Sequence, residues 1–115
     1  MRIQVLTFFK VLGVGAFALI FCLVLQARPA DDGGDLFKQK CSMCHGADGK
    51  GFSALKTPDF TDPKVQASLT DKEIVETIKN GRKGTAMPTF ADTLNDGQIN
   101  ALVAYIRSLG SSKNR

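Results

Sequence analysis

At 115 residues, 43% hydrophobic and 23% charged, the chain is long enough for one small folded domain and too short for several. Its formal charge of +4 includes Arg2, Lys10 and Arg28; without those three, 12 basic side chains face 11 acidic ones. That near balance excludes the basic footprint of a nucleic-acid-binding domain, and a single histidine beside one cysteine pair excludes a closed four-ligand zinc site.

The N-terminus reads as an export signal. Arg2 and Lys10 supply the basic region, and residues 11–25 form an uncharged, almost wholly apolar run. Such a run suits a signal peptide and falls short of the ~20 residues that usually span a bilayer. Residues 1–30 are therefore expected to be a signal peptide, cleaved after Ala27 or Ala30. Arg28 would occupy the −3 position of the second site, so an uncleaved membrane anchor is the alternative. Cys22 lies within the apolar run and reads as a small hydrophobe. Residues 31–115 are then the exported domain, in a compartment that oxidises thiols.

A first helix is predicted from about Asp35 into Cys41-Ser42-Met43-Cys44-His45, with Leu36 and Phe37 as its apolar residues. The turn formers Gly46-Ala47-Asp48-Gly49-Lys50-Gly51 end it. Residues 52–69 show no sustained period and contain Pro58 and Pro63, so an ordered loop is expected there. Within it Phe52, Leu55, Phe60 and Val65 need apolar cover.

The second helix is clearly punctuated. Thr70 and Glu73 have capping-box spacing, Leu69 and Ile74 staple spacing, and Gly81 stands where a helix-ending glycine belongs. A third helix repeats the pattern with Asn95 and Gln98, then Leu94 and Ile99. Ile99, Leu102, Val103, Ile106 and Leu109 recur at helical spacing, and Gly110 is expected to stop it. The fold class is all-α, with three main helices.

Cys41-Ser42-Met43-Cys44-His45 carries the chemistry. Cys-x-x-Cys-His is the attachment signature of c-type haem: two thiols for thioether links, and an adjacent imidazole to ligate the iron. A thioredoxin-like Cys-x-x-Cys belongs beside a βαβ pattern, which is missing here. A disulfide between Cys41 and Cys44 would leave His45 unexplained. With one histidine the second axial ligand cannot be another imidazole of this chain, and Met43 is confined to the attachment turn. Met87, in a glycine-flanked loop, is the candidate; the alternatives are a core methionine filling a gap, a lysine ligand or an open site.

The motif, Met87-Pro88 and Leu102-Val103-Ala104-Tyr105-Ile106 follow in an order that resembles the class I c-type cytochromes, the small bacterial monohaem kind. The resemblance covers residues 33–109. It implies that one haem c is attached covalently to Cys41 and Cys44, with His45 and Met87 on the iron. It further implies that Gly33 and Phe37 pack against Leu102 and Tyr105, and that the Pro58 carbonyl accepts the hydrogen bond of the His45 imidazole. The family's tryptophan near the haem propionates has no counterpart in this tryptophan-free chain.

The function implied is a periplasmic one-electron carrier, not an enzyme, working between donor and acceptor proteins of a respiratory-type chain. The alternatives are a membrane-tethered cytochrome subunit of a larger oxidoreductase and a haem peroxidase or sensor with a labile distal ligand. Lys38, Lys40, Lys79, Arg82 and Lys83 are expected to form a positive rim for an acidic redox partner.

Overall fold

The Asp32 carboxylate accepts a hydrogen bond from the Gly34 amide at 2.8 Å, and this cap starts helix α1 (Gly33–Lys40). The computed structural model describes residues 32–112, so the expected signal segment lies outside the described residues. α1 begins at Gly33, ahead of the predicted Asp35, because the capping carboxylate belongs to Asp32. The helix expected to run through the motif is two helices. Cys41 leaves helical geometry at φ −117° while its amide still bonds to the Phe37 carbonyl, and the one-turn α2 (Ser42–His45) follows. The Ser42 hydroxyl bridges the break by donating to the Lys38 carbonyl at 2.6 Å.

Residues 52–69 hold more than a loop. A 3₁₀ turn (Ser53–Leu55) and helix α3 (Pro63–Ser68) interrupt them. Asp62 caps α3 by accepting from the Lys64 amide at 2.8 Å, and Pro63 occupies a first-turn position where its missing N–H costs nothing. So short a helix displays no apolar period, which is why periodicity overlooked it.

Helix α4 (Asp71–Asn80) starts with the expected capping box. The Glu73 carboxylate accepts from the Thr70 amide at 2.7 Å, and the Thr70 hydroxyl oxygen accepts from the Glu73 amide at 3.2 Å. Helix α5 (Asp96–Ser112) opens with the same exchange between Asn95 and Gln98. It does not stop at Gly110 but runs on to Ser112. Gly110 has a packing role instead: a Cβ there would lie 2.5 Å from Gln66 Cγ. The described residues are helical without strands, and no helix among them is long and apolar enough to cross a membrane.

α1 crosses α5 closely because glycines face it. A Cβ on Gly33 would fall on the Ala101 carbonyl, and one on Gly34 would meet the Tyr105 ring at 3.1 Å. Beside that crossing, Phe37, Ile99 and Leu102 are each 1% exposed, making them the best-buried side chains. Leu36, Val103 and Ile106, Ile74 and Ile78 from α4, and Phe60 and Leu94 from the connecting segments complete the core. The pairing of Gly33 and Phe37 with Leu102 and Tyr105 is thus present.

Two outcomes are expected. Phe37→Ala should cost about 3 kcal/mol in denaturant unfolding, as for other buried Phe-to-Ala changes, and a loss below about 1 kcal/mol would contradict the packing. Bonding to the Thr70 amide, then to its hydroxyl, holds the Glu73 carboxyl below its usual 4.5. A depressed carboxyl stabilises fully above its unfolded pKa and loses that contribution as pH falls through the folded value. The stability gap between wild type and Glu73→Ala should therefore be constant near neutrality and shrink below about pH 4.5; a gap unchanged in acid would contradict the box.

Candidate functional site

The α2 turn is wound over the Cys41 carbonyl, which accepts from the Cys44 amide at 3.1 Å and the His45 amide at 2.9 Å. Both thiols are free and half-buried. The carbonyls at the end of the turn are satisfied by the segment that follows. The Gly51 amide donates to the His45 carbonyl at 2.7 Å, and the Thr57 hydroxyl donates to the Cys44 carbonyl at 2.9 Å. The same hydroxyl oxygen accepts from the Phe52 amide at 2.7 Å. Gly51 sits at φ +70°, and a Cβ there would lie 2.6 Å from the Thr57 carbonyl and 2.8 Å from that of Pro58. Only glycine lets the segment carrying Pro58 lie against this turn.

The His45 ring is packed between aromatics. It stacks on Phe60 with centroids 5.1 Å apart and planes at 19°, and Phe37 lies 6.3 Å away at 52°. Burial lowers the imidazole pKa below its ordinary 6.5, favouring the neutral form that can ligate a metal. Its Nδ1 is buried and has no hydrogen-bond partner. Pro58, whose carbonyl was expected to accept from this imidazole, stands beside the motif, its carbonyl 2.8 Å from where a Gly51 Cβ would lie. Burial, then the neighbouring Cys44, pushes the Cys41 thiol up to about 11 against the opposing pull of Lys40. The thiol stays protonated at neutral pH.

Met87 lies in the segment between α4 and α5. The Gly81 position, at φ +68°, backs directly onto the Met87 carbonyl, 2.7 Å from where a Cβ would stand. The Arg82 amide donates to that carbonyl at 3.3 Å, and the Met87 amide donates to the Thr85 hydroxyl at 3.2 Å. Phe90 and Ala91 tie the returning chain to the Ile78 and Lys79 carbonyls. Met87 and Cys41 are each partly buried against the hydrophobic core.

The expected basic rim is thinner than the sequence implied. Lys79 pairs with Asp96 at 2.7 Å across the neck of the methionine loop, and that hydrogen bond raises its pKa. Lys38 lies 3.9 Å from Asp35, while Lys40, Arg82 and Lys83 remain exposed. Met43 is 87% exposed, in keeping with its place on the outside of the attachment turn. Phe52 and Leu55, expected to need cover, are 46% and 53% exposed, whereas Phe60 is buried.

The family model described as cytochrome c oxidase, cbb3-type, subunit III matches residues 28–106. The chain belongs to this family of c-type cytochromes. Among curated proteins, this cytochrome is 34% identical over 88 residues to the cbb3-type cytochrome c oxidase subunit FixP of Bradyrhizobium sp. (strain ORS 278), covering 76% of this chain and 30% of that one. It is 30% identical over 105 residues to the subunit CcoP of Rhodobacter capsulatus, covering 81% and 35%. The chain thus spans about a third of the length of these relatives. Of solved structures, the KustC0563 c-type cytochrome is similar with a TM-score of 0.63 and 33% identity, over 68% of this chain and 96% of that one. A dihydro-haem d1 dehydrogenase, NirN, is similar over 66% of this chain and 16% of its own, with a TM-score of 0.58 and 37% identity. The all-α class and the cytochrome c family expected from the sequence both hold, and with them a haem-based role in electron transfer.

The residues present fit a haem c. Two free thiols one turn apart, a half-buried imidazole beside them and a half-buried thioether on the same core are the donor set it requires. Sequence reasoning did not find Thr57. A threonine before a proline carries no signal of its own; only the folded chain shows that it fastens the turn. Thr57→Val keeps the shape but leaves the Cys44 carbonyl and the Phe52 amide unpaired. It should cost about 1–3 kcal/mol and speed hydrogen exchange at Phe52, and wild-type exchange there would contradict the role.

Proposed function

We propose that this cytochrome carries one electron at a time on a haem c held by Cys41 and Cys44 and ligated by His45 and Met87. We place it as an electron-relay subunit of a membrane-bound cbb3-type oxidase. The observation that carries the reading is the family match across residues 28–106, which contains the complete attachment motif and Met87.

When bound, the haem supplies the Fe(II)/Fe(III) couple. The chain's own residues set its conditions. Cys41 and Cys44 provide the sulfurs that fix it to the α2 turn. His45, kept neutral by burial, offers a nitrogen lone pair. The soft Met87 thioether favours the reduced state, and Phe37 and Phe60 keep water from the imidazole side, which disfavours the more highly charged oxidised state. Were His45 and Met87 both to hold the iron, no coordination position would remain for a substrate. That favours a carrier over a peroxidase or gas sensor.

The relay-subunit reading assigns the apolar run at residues 11–25 to a tether. The second reading is a free periplasmic carrier; this chain covers 96% of the KustC0563 c-type cytochrome but only about a third of the oxidase subunits. In detergent extracts of membranes, the chain is expected to copurify with oxidase activity. Met87→Ala should keep its covalent haem and its place in the complex but slow oxygen consumption. Recovery of the chain wholly in the soluble periplasmic fraction would overturn the tethered reading and leave the free carrier.

A further inference from the structure

The Arg107 guanidinium, on α5, grips the junction between α3 and α4. Its Nε donates to the Asp71 carboxylate at 2.7 Å, and Nη2 donates to the Leu69 carbonyl at 2.6 Å. Nη1 donates both to the Gln66 backbone carbonyl at 2.8 Å and to the Gln66 side-chain Oε1 at 3.0 Å. With Oε1 facing a cation, the amide nitrogen of Gln66 must face the other way, toward acceptors. There it donates to the Phe60 carbonyl at 2.6 Å and the Ile106 carbonyl at 2.8 Å. Gly110 makes this possible, since a Cβ on α5 at that point would stand 2.5 Å from Gln66 Cγ.

Phe60 is therefore held at both ends of its backbone. Its amide donates to the Gly49 carbonyl at 2.8 Å, and its carbonyl accepts from Gln66. Its ring is the one stacked on His45, at 5.1 Å and 19°. An aromatic face held in place and stacked so nearly parallel restricts the rotation of the imidazole.

We propose that Gln66, oriented by Arg107, is a positioning residue for the His45 imidazole and acts through Phe60. This rests on the reading of His45 as the axial ligand. The plane of an axial imidazole governs the splitting of the ferric iron's d orbitals, so residues that orient the ligand are read in the iron's spectrum.

The test uses the holo protein. Gln66→Glu preserves a partner for Arg107 but presents only acceptors to the Phe60 carbonyl; Gln66→Leu removes both functions. Asp71→Asn weakens only the exposed end of the Arg107 network and serves as the control. In both Gln66 variants the ferric low-spin g values are expected to shift and broaden, the His45 ring resonances to move and the midpoint potential to change. The control should overlay on wild type. Wild-type g values, ring resonances and potential in the Gln66 variants, whatever happens to melting temperature, would overturn the proposal and leave Gln66 a brace between α3 and α5. Should the leucine variant fail to fold, the glutamate variant alone decides. If wild type itself gives no low-spin, histidine-ligated ferric signal, the ligand assignment falls, and this proposal with it.

Discussion

The ring of Phe37 lies 5.3 Å from Tyr105, 6.4 Å from Phe60 and 6.3 Å from His45, so one side chain on the first helix touches the last helix, the connecting segment and the imidazole. Its position depends on the close crossing of α1 and α5, which Gly33 permits by bringing bare backbone against the Ala101 carbonyl. The crossing fixes where the Cys-x-x-Cys-His turn begins, because the Cys41 amide is still bonded to the Phe37 carbonyl. In a domain this small, one aromatic contact is shared between stability and site. A void there would be felt by the imidazole as well as by the core.

Around that centre the chain fastens irregular backbone with side chains. Thr57 holds the attachment turn, Arg107 and Gln66 hold the α3–α4 junction, and Lys79 with Asp96 closes the neck of the methionine loop. Buried carbonyls outside regular structure need donors, and in this chain hydroxyl, amide and guanidinium groups supply them. The outermost of these contacts, such as Lys79 to Asp96, are exposed pairs and contribute little on their own. Those that reach a partly buried carbonyl, such as Gln66 to Phe60, have more consequence because breaking them leaves a poorly solvated polar group without its donor.

The contact of the first and last helices came from the family resemblance, whereas the all-α class and both capping boxes could be read from residue spacing. Those features are local or periodic, and each leaves a mark in the sequence. What could not be read arises from tertiary geometry. The α3 helix is too short to show a period, although Asp62-Pro63 marks its start. Gly110 looked like a helix stop because a glycine admitting a neighbour's side chain and one ending a helix are the same letter. Thr57 reaches Cys44 across 13 residues and Arg107 reaches Gln66 across 41, where no spacing rule applies. The Pro58 expectation came from family resemblance alone. The packing of the Phe37 and Phe60 rings on the imidazole likewise joins distant parts of the chain.

The central claim is that this scaffold holds a six-coordinate haem between the His45 imidazole and the Met87 thioether. X-ray absorption at the iron edge of the purified holo protein tests it most directly. The account predicts a first coordination shell of five nitrogens and a single sulfur in both oxidation states. A shell of nitrogen or oxygen alone, or a five-coordinate iron, would contradict it.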